Sequence, residues 1–403
     1  MLARAALAAI IATAPSAHSR VVSADPVGYT PHVLDGIVNS ITLVGRTVVV
    51  GGSFSEVADA SRKHTYTRAN LFAFDLLTGR ILRYFTPRVE GPVHSLAPGD
   101  GGTVYVGGDF SAISGTRARS LARLSLFDGS PVRDFSPRVA GGMVTTLARR
   151  GSQLYAGGDF TRPRLALARL DATSGAADPK FAITPGAPLT PKVKVHALAL
   201  TADRLAVDGT FTTLNGLSRP QLGLVDVRGG GAKVADWRTE GYASKCMAEF
   251  RSYVRGLDFS PDGTYFVVVT TGGPVRGKNL CDSVARFETF SSGQRIKPSW
   301  INKTGGDSLY AVAATGAAVY VGGHQRWQNN PLGHDSAGRG AVPREGIAAI
   351  HPRTGMALSW NPGRERGIGV KAFLAHGDGL LVGSDTTRLG REYHARIGMF
   401  PLP

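Results

Sequence analysis

At 403 residues, with 42% hydrophobic and 19% charged content, the chain is too apolar for a disordered polymer and long enough for a large buried core. Its 52 glycines and 23 prolines argue for short strands and many turns and against long helices. The formal charge of +16 favours anionic partners such as wall polymers or acidic glycans, but charge spread evenly over a surface would only keep the protein soluble, and nothing singles out nucleic acid.

The first 24 residues read as an export signal. Arg4 supplies a minimal positive start, and Ala5–Ala14 is an apolar run too short to span a bilayer. Cleavage is expected at Ala17-His18-Ser19 or Val22-Ser23-Ala24, with the second preferred, leaving residues 25–403 as a single domain. No later segment approaches a transmembrane span.

From residue 48 a phrase recurs every 50 to 64 residues: a strand-like apolar run, paired glycines, then usually Phe. It is clear at Val48–Phe54, Val104–Phe110 and Leu154–Phe160, and weaker at Leu205–Phe211, Val267–Gly273, Val319–Gln325 and Leu380–Thr386. Such self-similarity marks a repeat architecture, and units built from strands point to blades arranged in a ring. The second unit reads strand by strand as Val93–Ala97, Thr103–Gly107, Leu121–Leu126 and Val132–Pro137, joined by polar turns such as Asp128-Gly129. The fourth strand carries one large aromatic per unit (Phe85, Phe135, Phe181, Trp237, Trp300, Trp360), expected to wedge between neighbouring sheets. The paired glycines are expected either to let sheets crowd together or to turn the backbone through positive φ.

The seventh unit ends without its aromatic strand. Tyr29-Thr30-Pro31-His32-Val33 matches Phe85-Thr86-Pro87-Arg88-Val89 and supplies the missing piece. The expected fold is therefore an all-β, seven-bladed β-propeller of four-stranded antiparallel blades, closed by an N-terminal strand that completes the last blade. With its Thr-Gly turns and its Trp360-Asn361-Pro362-Gly363-Arg364 run, the chain resembles the delta-sixty-repeat propellers of secreted actinobacterial proteins, and more loosely fungal cell-surface polarity proteins with glycine-pair repeats. That resemblance implies the fold and an extracellular setting, and brings no activity with it.

Function is expected on the loops. Long insertions at 55–68, 238–253, 272–283, 325–345 and 386–394 all join second to third strands or one blade to the next, which puts them on one face. Two of them hold Cys246 and Cys281, and in an exported chain this pair reads as a disulfide; two cysteines alone make a poor metal site. The densest polar cluster is His324, Arg326, Trp327, Asn329, Asn330, His334, Asp335, Arg344 and Glu345. Arg364, Arg366, Arg388, Arg391, Tyr393 and His394 are expected beside it, with Arg62, Lys63, His64, Tyr66 and Arg68 joining from the first unit. Arg forks suit carboxylate, sulfate and phosphate, and aromatic rings stack on sugars.

Sharper motifs fail. Gly272–Asn279 nearly matches a phosphate loop, but Asn279 replaces the Mg²⁺-binding hydroxyl and no helix follows. His334-Asp335-Ser336 is adjacent in sequence, whereas a triad needs neighbours in space. The chain thus reads as a secreted, monomeric, non-catalytic propeller without cofactor or metal, binding an anionic cell-wall polymer, a glycan or a protein at the cell surface. The alternative is a polysaccharide lyase or glycosidase working in the same cleft through His324, His334, Arg344 or Glu345.

Overall fold

The computed structural model describes residues 18–274 and 279–403, so the start of the expected leader and residues 275–278 of the phosphate-loop-like turn lie outside the described residues. Among the described residues seven main antiparallel sheets follow one another along the chain, with five smaller two- or three-stranded sheets formed by the intervening loops and the N-terminal segment. In each main sheet, the strand ending in the glycine phrase is central: Thr47–Ser53, Thr103–Gly108, Gln153–Gly158, Arg204–Gly209, Tyr265–Thr270, Val319–Gly323 and Gly379–Gly383. Their residues are almost wholly buried, as the continuous apolar runs require. The first strand of each sheet (Ile37–Val44, Val93–Pro98, Val144–Arg150, Val195–Leu200, Val254–Phe259, Leu309–Ala314, Ala372–His376) packs on the first strand of the next, and the seventh packs back on the first.

The paired glycines have a steric cause. A Cβ on Gly51 would sit 2.5 Å from a methyl of Val93 on the next sheet, and one on Gly157 equally close to Val195. The same approach recurs between the last and first of these sheets: a Cβ on Gly383 of the seventh would meet Val38 of the first at 2.5 Å. A Cβ on the second glycine, as at Gly52, would strike the carbonyl of Ile37 on its own sheet. Close approach, not positive φ, explains these pairs. Hydroxyls add direct ties, with Ser40 Oγ accepting from Leu96 N at 2.9 Å and Ser95 Oγ from Leu147 N at 2.9 Å.

Two expectations need correction. Only the fourth and fifth sheets carry a fourth strand, at Lys233–Val234 and Trp300–Lys303; elsewhere it shrinks to single bridges such as Phe74↔Ile81 and Leu124↔Pro131. In the second sheet the pairing residue is Pro131, which has no N–H to extend the ladder; in the others the pairing residue is Ile or Ala, and in each the chain leaves the ladder and turns inward to bury its aromatic. That wedge forms as expected. Tyr105 meets Phe135 edge-on at 5.4 Å, and the Nε1–H groups of Trp300 and Trp360 donate to the carbonyls of Pro352 and Ser23, each beyond its own sheet.

The second correction concerns the N-terminal segment. His32–Val33 pairs with Glu56–Ala58 of the first unit, and Val33 N also donates to Ala395 O of the tail at 2.9 Å. The tail is met earlier as well: Ser23 N donates to Pro401 O at 2.8 Å and Val27 N to Met399 O at 2.9 Å. Residues 18–24, assigned to the leader by sequence, lie against the sixth and seventh sheets. Val22 is buried there, its N–H donating to Tyr320 Oη.

Candidate functional site

The first strand of each sheet opens with an apolar residue, usually Val, followed by one residue that bulges. Register shifts fall at Val38/Ser40, Val93/Ser95, Val144/Thr146, Val195/Ala197, Val254/Gly256 and Leu309/Ala311. A bulge leaves its extra residue outside the ladder and re-aims the side chain. The residues so displaced are Asn39, His94, Thr145, His196, Arg255 and Tyr310, and Lys371 occupies the corresponding place before Ala372–His376. These side chains lie in a central cavity of about 300 Å³ to which all seven sheets contribute; the cavity is lined by Asn39, His94, Thr145, His196, Arg255, Tyr310 and Lys371 together with their neighbours.

His196 and Arg255 also line a second, larger space. A cleft of about 690 Å³ opens beside the fourth and fifth sheets between Thr190–Lys194, Thr210, Asp159 and Ala248–Ser252. Four cationic groups (Lys192, Lys194, Arg251, Arg255) face two carboxylates (Asp159, Glu249). Both walls are anchored. Thr210 Oγ1 accepts from Lys194 N at 2.9 Å and donates to Lys192 O at 3.0 Å. The opposite wall belongs to the insertion carrying Cys246, which is disulfide-bonded to Cys281 with 5.9 Å between Cα atoms. Tyr253 closes that insertion, its N–H donating to Gln221 Oε1 and its hydroxyl to Ser244 O.

The cleft forms where the repeat is broken. Asp208 stands in the register place of Gly51, and its fully buried carboxylate accepts Ala197 N at 2.8 Å through Oδ1, while Oδ2 has no partner among the described residues. Burial pushes its pKa up to about 7 against the Ala197 hydrogen bond and the attraction of Arg255. Burial pulls His196 down to about 3, helped by Arg255 and Lys194, so that imidazole is neutral at ordinary pH. Arg255, also lowered chiefly by burial, donates to the carbonyls of Val254 and Ser252.

The residues nominated from sequence do lie near one another, but several are occupied. Arg364 is buried and donates to the Gly323 and Arg366 carbonyls and to Thr386 Oγ1. Arg344 donates to Leu358 O. Arg326 and Arg366 converge on the buried Asp307, Arg326 through two bonds of 3.0 Å, and Arg326 also pairs with Asp335 and covers the Trp327 ring at 4.3 Å. Asn330 staples its own loop, donating to Thr304 O and Ser336 O and accepting Gly338 N. His324 Nε2 accepts Ser308 N at 3.2 Å, and burial lowers its pKa. His394 is buried between Thr30 and Glu392. His334, Glu345 and Tyr393 remain exposed, the last under the Arg62 guanidinium. Among the described residues no group of three or more His, Cys, Asp or Glu is placed to hold a metal.

Sequence reasoning missed Lys192, Lys194, His196, Arg251 and Arg255. Two signals were available: the glycine-to-Asp change in the fourth unit, and the column of polar residues one place after the first apolar residue of each unit.

Residues 102–131, which span the second sheet's central strand and its Asp128-Gly129 turn, match a family described as domain of unknown function (DUF5122) beta-propeller. The fold is a β-propeller. Among solved structures, the computationally designed Ika8 protein, crystallised in P63, is similar over 91% of this chain and 97% of its own, at 12% identity and a TM-score of 0.51. No curated protein matches the chain. No helix among the described residues is long and apolar enough to cross a membrane.

Proposed function

We propose that this propeller is an exported, non-catalytic binding protein whose ligand is an anionic cell-surface polymer, held in the cleft beside the fourth and fifth sheets. The observation that carries the reading is the cleft itself, where Lys192, Lys194, Arg251 and Arg255 converge between two anchored walls; among the described residues the side chains of Lys192, Lys194 and Arg251 are tied to no carboxylate or main-chain carbonyl, whereas the arginines of the other cluster are. Export is supported by the apolar run at Ala5–Ala14 and by the disulfide, since such bonds persist in oxidising compartments. The packing of residues 18–24 favours removal of the leader before His18. Seven sheets, the contact of the seventh with the first, and the Ser23 and Val27 bonds to the tail support a closed ring of seven blades latched by the N-terminal segment, as in the delta-sixty-repeat propellers that the sequence resembles. We read it as a monomer.

A catalytic reading would need a carboxylate pair facing substrate. Asp208 and Asp258 carry raised pKa values, each about 7, but both are wholly buried and each accepts a backbone N–H. The test is binding of labelled polygalacturonate and polyphosphate, with neutral dextran as control, to the full protein and to Lys192→Ala/Lys194→Ala/Arg251→Ala. Binding to at least one polyanion, lost in the triple variant, is expected; equal binding by both proteins rejects the cleft, and no polyanion binding rejects the function.

A further inference from the structure

The central cavity, or channel, carries an electrostatic feature of its own, sharing His196 and Arg255 with the polymer cleft. Three consecutive sheets, the fifth to the seventh, present Arg255, Tyr310 and Lys371 at their bulge positions. Lys371 Nζ stands 3.3 Å from the centroid of the Tyr310 ring and donates no hydrogen bond to any described residue. Arg255 uses its two terminal nitrogens on the carbonyls of Val254 and Ser252, which leaves its positive charge without an ion pair. The nearby carboxylates are engaged elsewhere. Asp385 accepts Ile368 N and Gly369 N and pairs with Arg364, and Asp208 accepts Ala197 N. The remaining ring members, Asn39, His94, Thr145 and His196, bring no negative charge. Asp208 attracts Arg255 and Asp385 attracts Lys371, but neither carboxylate forms an ion pair with these cations among the described residues, and the two cations repel each other. An aromatic face supports the ammonium from one side and leaves its other N–H donors for a ligand.

We propose that the channel is a site for a compact oxyanion, a phosphate group or the carboxylate of a sugar acid, seated between the Arg255 guanidinium and the Lys371 ammonium beside Tyr310. A cavity of about 300 Å³ accommodates a single phosphate or one uronic-acid ring and excludes a folded partner. The oxyanion accepts charge-assisted hydrogen bonds from both cations, which are stronger than neutral ones. A polymer that lies in the cleft could place its charged end here, since Arg255 borders both spaces.

The experiment is calorimetric titration of the full protein at low ionic strength with inorganic phosphate and, separately, with galacturonate. Saturable binding of one or both at a single site is expected; phosphate alone assigns the ligand to phosphate, galacturonate alone to carboxylate. Lys371→Met keeps the contact with the Tyr310 ring and should weaken binding at least tenfold, as should Arg255→Gln. Because the Lys371 ammonium holds no structural bond, that variant stays folded even where Arg255→Gln does not. The cleft variant Lys192→Ala/Lys194→Ala/Arg251→Ala should bind the small anion within about twofold of wild type, so failure of the polymer reading leaves this site standing and the reverse. No saturable binding of either anion, or unchanged affinity in Lys371→Met, overturns the proposal.

Discussion

Asp208→Asn tests the broken seam directly. The folded carboxyl has its pKa at about 7, raised by complete burial, against an unfolded value of about 3.9. Between these values the folded chain holds the extra proton, so stability falls as pH rises through the window and levels off above it. Linkage makes the cost of this one carboxyl about 1.5 kcal/mol at pH 5 and about 4 kcal/mol at pH 8. Asn keeps an oxygen for Ala197 N and does not titrate, so the variant should gain about 2–3 kcal/mol over wild type on going from pH 5 to pH 8. The neighbours do not disturb the comparison: His196 is neutral at both values and Arg255 charged at both. Urea unfolding of both chains at the two pH values measures the double difference. A difference below about 0.5 kcal/mol would mean that Asp208 is solvated or ion-paired, and the account of this seam would be wrong.

Three other substitutions probe the ring. Val22→Asp puts a charge into the packed N-terminal strap and should cost about 3 kcal/mol in urea unfolding, whereas exposed Arg20→Ala should change stability by less than about 0.5 kcal/mol. Gly383→Val, where Val38 of the first sheet already fills the space, should cost about 1–3 kcal/mol, while Gly377→Val, with nothing within 4 Å, should be far milder. Cys246→Ser/Cys281→Ser removes a bond across 35 residues, worth about 4 kcal/mol in the chain-entropy model, and should also speed proteolysis in the wall at 238–252; unchanged stability on adding reductant to wild type would contradict it.

The repeat was legible because its cause is local and recurrent. The first glycine of each of these pairs abuts a valine on the neighbouring sheet, so Gly51, Gly107, Gly157, Gly322 and Gly383 keep the same residue for the same reason. The place of Tyr29 as the counterpart of Phe85 was legible too, and Gly79 packs on the Tyr29 carbonyl much as Gly129 packs on Pro87. The individual partners of the N-terminal segment were not, because its hydrogen bonds to Ala395, Met399 and Pro401 come from main chain that carries no pattern. The central cavity was obscured for a different reason. Its ring residues are one per unit and chemically unlike, from Asn39 to Lys371, and only the bulge makes them equivalent. Density of polar residues misled in the opposite direction: Arg364 and Asn330 look like ligands in sequence and are buried staples in space.

The most direct test of the central claim is the ionic-strength dependence of polyanion affinity. Binding in a cleft lined by Lys192, Lys194, Arg251 and Arg255 predicts that affinity for polygalacturonate or polyphosphate drops steeply as the Debye length shrinks from about 30 Å at 0.01 M to about 8 Å at 0.15 M salt. The triple variant at 192, 194 and 251 should show a much shallower slope. Slopes that coincide for the two proteins would place the bound polymer elsewhere on this surface.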